Sequence, residues 1–168
     1  MTTEFVFEQA IYPFTFEKSQ LEQDLIEIEQ RSHELINQYR KQMGLVELKW
    51  DQPLRDLSQP HNQFLNTLGD PVQELGKEIV EPNGRKTKMA HKGFGDRFDY
   101  CAKKLGRKAG RENVYWCSDS EDLALSAVEG WKSSPGHNAN ILVPELRREG
   151  IAVFRGSQGY YFTQLLTD

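Results

Sequence analysis

The sequence predicts an α+β domain in which helices cover both faces of a central, mainly antiparallel sheet. Segments with helical periodicity fill the first part of the chain, a strand and a further helix follow, and two strands joined by a short turn close it. This order of elements is typical of helices packed on an antiparallel sheet. The chain has 168 residues, which suffices for one domain with a substantial core and leaves little room for two.

The N-terminal third is predicted to hold an arm and two helices. Residues 1–18 alternate apolar and polar side chains around Pro13, a pattern that predicts an extended N-terminal arm. Ser19 and Glu22 form a capping box that opens the first helix, and Gly44 ends it. Asp51 and the following Pro53 open the second helix. The apolar residues at helical spacing in the first helix are Leu21, Leu25, Ile28, Leu35, Ile36, Tyr39 and Met43.

Residues 69–88 are rich in Gly, Pro and charge, and they are predicted to form a long loop insertion with at most one short turn of helix. Loops of this length usually cover something or move. Beyond them the sequence predicts a helix over 93–105, a strand over 112–117 and a helix opened by a capping box of Ser118 and Glu121. A hairpin turn over 156–159 is predicted to join the last two strands. Residues 19–168 are predicted to form a single domain.

Composition excludes several classes of protein. The net charge of −4 gives no general attraction to nucleic acid, and no apolar run approaches the roughly 20 residues of a membrane span. Basic side chains crowd residues 85–111, and we interpret them as a solvated face in preference to a polyanion site. The N-terminus lacks a basic segment and carries Glu4 and Glu8, so no export signal is recognised and a cytoplasmic location is expected if this is the native start.

Two cysteines, Cys101 and Cys117, are too few for a disulfide scaffold. They could pair with each other, but two reduced thiols near the core are the favoured interpretation. The sequence has no CxxC motif, and this argues against a structural zinc site.

Three residues are candidates for chemistry: His91, Glu112 and His137. Each lies beside residues that break helices or strands, as in the stretch WKSSPGHNANIL, where Pro135 and Gly136 are predicted to end a helix just before His137. Spacing alone does not bring the three together, because each also has a structural interpretation, such as a hydrogen-bonded histidine or a surface glutamate.

A series of short motifs runs along most of the chain, and in this order it resembles the CAP superfamily, in particular its bacterial branch. This family gathers cysteine-rich secretory proteins, venom antigens and plant pathogenesis-related proteins. The resemblance covers roughly residues 28–166. The motifs are Leu35-Ile36-Asn37-x-x-Arg40, Gly44-Leu45-x-x-Leu48-x-Trp50, His61, His91-x-Gly93-Phe94-x-Asp96-Arg97, Glu112-Asn113-Val114, Gly130-Trp131-x-x-Ser134-Pro135-Gly136-His137-x-x-Asn140-Ile141-Leu142, Gly150-Ile151-Ala152 and Tyr161-Phe162-Thr163-Gln164.

The resemblance implies a three-layer α-β-α sandwich and a cleft in which two histidines can hold a divalent metal such as zinc. His91 and His137 match those histidines, and Glu112 matches one of two acidic positions. Serine stands at the second, Ser134, and Arg111 precedes Glu112 where glycine is usual; its charge is expected to favour the ionised carboxylate. Segment 69–88 is longer than in related chains.

Two functions follow from this resemblance. In the first, a metal on His91 and His137 polarises a water and Glu112 orients it or takes its proton, as in a hydrolase of peptides or esters. In the second, the histidines and Glu112 form a structural polar network in a non-enzymatic module that binds a lipid or a protein. The ligand is expected to be a small molecule, a lipid or a peptide. Since the family is mostly secreted, the resemblance also implies secretion if the N-terminus has been trimmed.

Three further residues are expected to act locally. His61, on the second helix, is expected to pack or to hydrogen-bond nearby. Asp96 and Arg97 are expected to form an ion pair behind His91.

Overall fold

The computed structural model describes residues 19–168, so the predicted extended arm over residues 1–18 lies outside the described residues. A four-stranded sheet of order β1-β5-β6-β4 is accompanied by a separate two-stranded hairpin. The helices are α1 (Gln20–Gln42), α2 (Gln52–Asn66), α3 (Pro71–Glu74), α4 (Phe94–Leu105), α5 (Leu123–Ser133) and α6 (Pro135–Ile141). The strands are β1 (Lys49–Trp50), β2 (Glu78–Val80), β3 (Lys86–Lys88), β4 (Gly110–Cys117), β5 (Arg148–Gly156) and β6 (Gly159–Thr167).

The main sheet is antiparallel except at one edge. β6 pairs antiparallel with both β5 and β4, whereas the two-residue β1 pairs parallel with the start of β5. The predicted turn joins β5 to β6, with Gly156 opposite Gly159. The sequence prediction of a closing hairpin and a mainly antiparallel sheet is therefore confirmed.

Helices cover both faces of this sheet, because successive side chains of a strand point to opposite faces. Phe162 of β6 belongs to a core cluster with residues of α1, α5 and α6, including the fully buried Trp131. Its neighbour Tyr161 belongs to a second cluster with Leu65 of α2, and Leu165 packs with α2 and α4. The architecture is thus the predicted α-β-α sandwich.

The packing of α2 on β5 depends on a glycine. A Cβ atom added at Gly150 would lie 2.1 Å from the backbone nitrogen of Arg55 and 2.6 Å from the carbonyl carbon of Leu54. Gly150 therefore allows the helix backbone to rest directly on the strand. Asn62 strengthens the contact, since its Nδ2 donates to the carbonyl of Ala152 at 2.8 Å.

Three local features differ from the sequence prediction. Segment 69–88 is not a plain loop but contains α3 and the β2–β3 hairpin, whose register runs from Glu78–Lys88 to Val80–Lys86. The helix α5 is capped by Asp122, which accepts the amide of Leu125, and not by Ser118. Finally, the chain after Pro135 turns at once into α6, so that residue 137 lies within a helix and not at a free turn.

Both cysteines are free, and Cys101 is buried. Cys117 is half-buried on β4. The favoured interpretation of two reduced thiols is therefore confirmed. Among the described residues, no helix combines the length and the apolar character that crossing a membrane requires.

We expect Gly150→Ala to lower the free energy of unfolding by about 3 kcal/mol, because the added methyl group meets backbone atoms that cannot change rotamer. Gly136→Ala is the control, since nothing lies within 4 Å of a Cβ at that helical position. Its effect should stay within about 1 kcal/mol. Urea denaturation followed by tryptophan fluorescence measures both, and equal effects of the two substitutions would contradict this account of the α2–β5 contact.

Candidate functional site

The structure brings the three predicted site residues together at the edge of the sheet formed by β4. His91 ends a 3₁₀ turn, Met89–His91, that follows β3. His91 Nδ1 lies 3.0 Å from Glu112 Oε1, and the ring centroids of His91 and His137 are 6.2 Å apart. Three elements that are distant in sequence thus contribute to one polar cluster. Ser134, the position of the second expected acidic residue, lies at the junction of α5 and α6.

The chain after His91 is shaped by a glycine. Gly93 has a φ of 74°, a left-handed conformation that favours glycine, and it begins α4. Its amide donates to Glu81 Oε1 at 2.7 Å. This hydrogen bond fastens the β2–β3 hairpin to the turn that carries His91.

The helix α6 holds His137 in place through contacts at several points. Pro135 begins it, as proline's fixed φ favours. The fully buried guanidinium of Arg40 donates from Nη1 to the carbonyl of Ile141 at 2.5 Å, near the negative end of the helix. Tyr39 donates its hydroxyl to Asn138 Oδ1 at 3.0 Å. These bonds from α1 fix the position of α6 against the sheet.

Glu112 has a second partner that the sequence did not predict, Arg97 of α4. Arg97 Nε donates to Glu112 Oε2 at 2.7 Å, and Nη2 lies 2.6 Å from the same oxygen. The expected pair of Asp96 with Arg97 does not occur among the described residues. Arg111, expected to act on the carboxylate, instead donates to the carbonyl of Gly110. The signal that could have identified Arg97 is that a buried carboxylate requires a counter-charge.

The environment of Glu112 keeps its carboxylate ionised. Burial opposes ionisation, but the hydrogen bond from His91 and the charge of Arg97 outweigh it, so the pKa of Glu112 is lowered. An ionised carboxylate only accepts hydrogen bonds. His91 Nδ1 is therefore the donor in the bond to Glu112 Oε1.

The surroundings of His137 favour its neutral form. Burial lowers the pKa of His137, and the nearby charges of His91 and Lys88 lower it further. Among residues 19–168, neither ring nitrogen of His137 has a hydrogen-bond partner. Its ring thus keeps a free lone pair near the ring of His91.

A ladder of buried amides connects the site to the sheet. Asn140 Nδ2 donates to the carbonyl of Glu112 at 3.2 Å and to Asn113 Oδ1 at 2.9 Å. Asn113 Nδ2 in turn donates to the carbonyl of His137 at 3.2 Å and to Gln164 Oε1 at 2.8 Å. Both Asn113 and Gln164 are fully buried. These hydrogen bonds tie α6 to β4 and β6.

The ladder ends at a buried acid of β5, Glu149. Gln164 Nε2 donates to Glu149 Oε2 at 2.5 Å, and Glu149 Oε1 lies 2.6 Å from His33 Nδ1. Burial opposes protonation of His33, yet its hydrogen bond to Glu149 and the charge of that carboxylate raise its pKa. Polar contacts therefore run from α1 to the site.

His61 contacts the residue that precedes His91 and so helps to position the site. Its Nε2 lies 2.7 Å from the carbonyl oxygen of Ala90, to which the Nε2 tautomer donates. This contact joins residues that are 29 positions apart in the sequence, whereas His61 was expected to pack or to hydrogen-bond nearby. Burial, the largest influence, lowers the pKa of His61 to about 4. The ring is therefore neutral at physiological pH.

A cavity of about 290 Å³ opens beside His91, and we call it the His91 cavity. Its walls come from the β2–β3 hairpin, α4, β4 and α6. His137 is not among the side chains that line it, although its ring contacts that of His91. The lining residues are Arg85, Thr87, His91, Phe94, Gly110, Arg111, Glu112 and Asn140.

Comparison of the sequence with known families identifies the domain. The family described as "CAP: Cysteine-rich secretory protein family" matches residues 33–166, which is most of the chain. This chain belongs to the CAP family. The sequence has no match among curated proteins.

Three of the solved structures that are similar to this CAP domain come from bacteria. An outer surface protein from Borrelia burgdorferi has 16% identity and a TM-score of 0.60, and the match covers 84% of this chain and 92% of that one. An extracellular protein containing an SCP domain from Bacillus anthracis has 20% identity and a TM-score of 0.63. The match covers 90% of this chain and 44% of the Bacillus chain. A cysteine-rich secretory protein from Staphylococcus aureus has 18% identity and a TM-score of 0.59, with 90% and 41% covered.

These likenesses concern the fold, because all three identities are low. The chain spans less than half the length of the Bacillus and Staphylococcus proteins, so their whole activities do not transfer to it. The CAP fold and the SCP-type architecture are established for this chain.

The donor set of this CAP domain suits a divalent metal only in part. His91 and His137 offer two imidazole nitrogens, which a borderline ion such as zinc accepts. Within residues 19–168, no three His, Cys, Asp or Glu side chains are placed to hold a metal together. A metal here would have two protein ligands, so solvent or a bound ligand would have to supply the others.

We expect Arg97→Gln to lower the free energy of unfolding by about 3 kcal/mol, because it leaves the buried Glu112 charge without its cation. The matched control is Arg111→Gln, which removes the same charge from the residue preceding Glu112 and should cost less than about 0.5 kcal/mol. Urea denaturation at neutral pH compares the two variants. A larger loss in the Arg111 variant would show that Arg111, and not Arg97, compensates Glu112.

The buried His61 predicts a loss of stability in mild acid. Because its folded pKa of about 4 lies below the ordinary value of 6.5, the unfolded chain takes up the proton first as the pH falls. The contribution of neutral His61 is complete above about pH 6.5 and is lost between there and pH 4, up to about 3 kcal/mol. Unfolding of wild type and His61→Gln at several pH values measures it. A difference that does not change with pH would contradict the assignment.

Proposed function

We propose that this CAP domain binds a ligand in the His91 cavity with the help of a divalent metal held by His91 and His137. The observation that carries the proposal is the pair of imidazoles, with ring centroids 6.2 Å apart, whose remaining nitrogens face no hydrogen-bond partner among the described residues. Both residues are only partly buried, so these nitrogens remain accessible to a ligand. Two accessible imidazole nitrogens, one of them on a ring that lines the cavity, are suited to a shared metal.

Glu112 supports this site as the residue that orients His91. Metal-bound histidines commonly donate their other ring nitrogen to a carboxylate, which fixes the tautomer and the ring orientation. Glu112 accepts from His91 Nδ1 at 3.0 Å, and Arg97 occupies its other oxygen. Arg97 in turn is held by the carbonyl of Lys92, to which its Nη1 donates at 3.0 Å.

A metal held at this site would also be suited to catalyse hydrolysis. A divalent metal with open positions polarises bound oxygen and supplies Lewis-acid chemistry. Glu112 lines the same cavity as His91, so its carboxylate is available to orient a water or to accept its proton. That role requires Oε1 to exchange its bond with His91 for one with water. Metal binding is therefore the first property to test, and peptide or ester hydrolysis follows from it.

The second candidate is a non-enzymatic binding module in which the cluster is structural. The continuous amide ladder through Asn113, Asn140 and Gln164 favours it, because a fully satisfied buried network stabilises loops against the sheet. In that case the histidines serve stability, and a lipid or a protein binds elsewhere on the surface.

Calorimetric titration of the metal-stripped protein with zinc separates the two candidates. We expect micromolar or tighter binding that is lost in His91→Ala and in His137→Ala, while His33→Asn, a histidine variant at the other end of the ladder, keeps it. Glu112→Gln should weaken binding roughly 10- to 100-fold, because it loosens the orientation of His91. Circular dichroism verifies that each variant is folded.

The absence of zinc binding would support the second candidate. If wild type binds no zinc, and the His91 and His137 variants differ from it only in stability, the cluster is structural and the search turns to lipid and protein ligands. If zinc binds but Glu112→Gln binds as tightly as wild type, Glu112 does not orient His91.

A further inference from the structure

We propose that the His91 cavity takes a ligand with a small oxyanion group, a carboxylate or a phosphate, bound between Arg85 and Arg111. The inference deepens the proposed function and rests on it, because it assumes that the cavity is a binding site. It assigns the chemical class of the ligand from the charges on the walls.

Two guanidinium groups line the cavity from opposite elements. Arg85 immediately precedes β3, Arg111 lies on β4, and both residues are exposed. Within residues 19–168, neither forms an ion pair with a carboxylate. Each is held instead by a neutral group. The guanidinium carbon of Arg85 lies 5.8 Å from the ring centroid of Phe94, and Arg111 Nη1 donates to the carbonyl of Gly110 at 2.8 Å.

The single acid of the cavity does not balance these two charges. Glu112 is the only acidic residue among those that line it, and Arg97 already neutralises its carboxylate from behind. The cavity therefore carries an excess of positive charge, although the whole chain has a net charge of −4.

The chemistry of the walls fits an oxyanion. Arginine presents a planar fork of donors that matches the oxygens of carboxylates and phosphates. The Thr87 hydroxyl lines the same cavity and has no side-chain hydrogen bond within the described part of the chain. A volume of about 290 Å³ admits a small head group and excludes a folded polymer. The cavity thus offers donors and positive charge but few free acceptors.

A polyanion is the less suitable occupant of this surface. Nucleic acid binding needs cations spread along an extended face. Here the two uncompensated arginines converge on one cavity, whereas Lys103, on the outer side of α4, is paired with Asp99 at 2.9 Å. Within the basic segment 85–111, Arg85 and Arg111 therefore lie at the cavity. Lys103 belongs to the solvated face that the sequence predicts.

The test is a titration of the metal-free, ¹⁵N-labelled protein with inorganic phosphate, followed by NMR at constant pH and at an ionic strength kept constant with sodium chloride. A second titration uses acetate. The signals to follow are the arginine Nε–H groups, the His91 ring and the amides of residues 110–112. Arg85→Gln and Arg111→Gln are the test variants. Lys86→Gln is the matched control, because it removes the same charge from the neighbour of Arg85 that does not line the cavity.

We expect saturable binding in wild type and in Lys86→Gln, and a dissociation constant raised about tenfold in each arginine variant, as loss of a charge-assisted hydrogen bond implies. Tighter binding of phosphate would identify a phosphorylated ligand, and tighter binding of acetate a carboxylate; either supports the inference. Shifts that do not saturate, or that Lys86→Gln changes as much as Arg85→Gln, overturn it.

The outcome is separable from that of the metal proposal. Saturable anion binding in a protein that binds no zinc would leave this inference standing and remove the metal. Zinc binding without saturable anion binding would do the reverse.

Discussion

The burial of the Glu112 carboxylate next to Arg97 is the interaction on which the site depends. A buried charge without a partner is costly enough to unfold a small domain, whereas a paired and hydrogen-bonded one is tolerated. This pair joins β4 to α4 and, through His91, to the turn after β3. The identity of one side chain therefore decides where three elements meet. It also fixes the charge and the proton positions that the cavity presents.

The same constraint recurs elsewhere in the molecule. Glu29 of α1 is almost fully buried, and it both pairs with Arg55 and accepts the amide of Val153 at 3.0 Å, where β5 extends past the short β1. Arg40 is fully buried without a carboxylate partner; its Nε donates to the carbonyl of Val46 and its Nη1 to the carbonyl of Ile141 at the end of α6. Each buried charge thus ties a helix to a strand or to another helix. Polar contacts as well as apolar packing specify the arrangement of the layers.

These contacts give the site two unlike halves. Behind His91 the groups are paired and rigid: Glu112 with Arg97, and Ala90 with His61. In front of it, Arg85 and Arg111 remain without carboxylate partners on the cavity wall. The paired groups behind His91 are held in place before any ligand arrives, and the exposed arginines in front of it are accessible from solvent.

The sequence by itself determined the class of the fold and most of its elements. Helical spacing of apolar residues, the capping box at Ser19 and the turn after β5 are local signals, so they can be recognised without the tertiary structure. The motifs carried the family and named His91, Glu112 and His137. Local signals failed where two caps compete, as for Asp122 against Ser118, and where short strands depend on a partner, as in the β2–β3 hairpin.

Only the tertiary structure decided which charges face each other. Arg97 and Arg111 are equally plausible partners of Glu112 in the sequence, and Arg111 is its direct neighbour. Along a strand, however, adjacent side chains point in opposite directions. Arg111 is therefore directed away from Glu112, while the fold of α4 brings Arg97 to it from 15 residues away. Motifs and periodicity record what a segment forms, whereas the pairing of buried charges depends on where the segments meet.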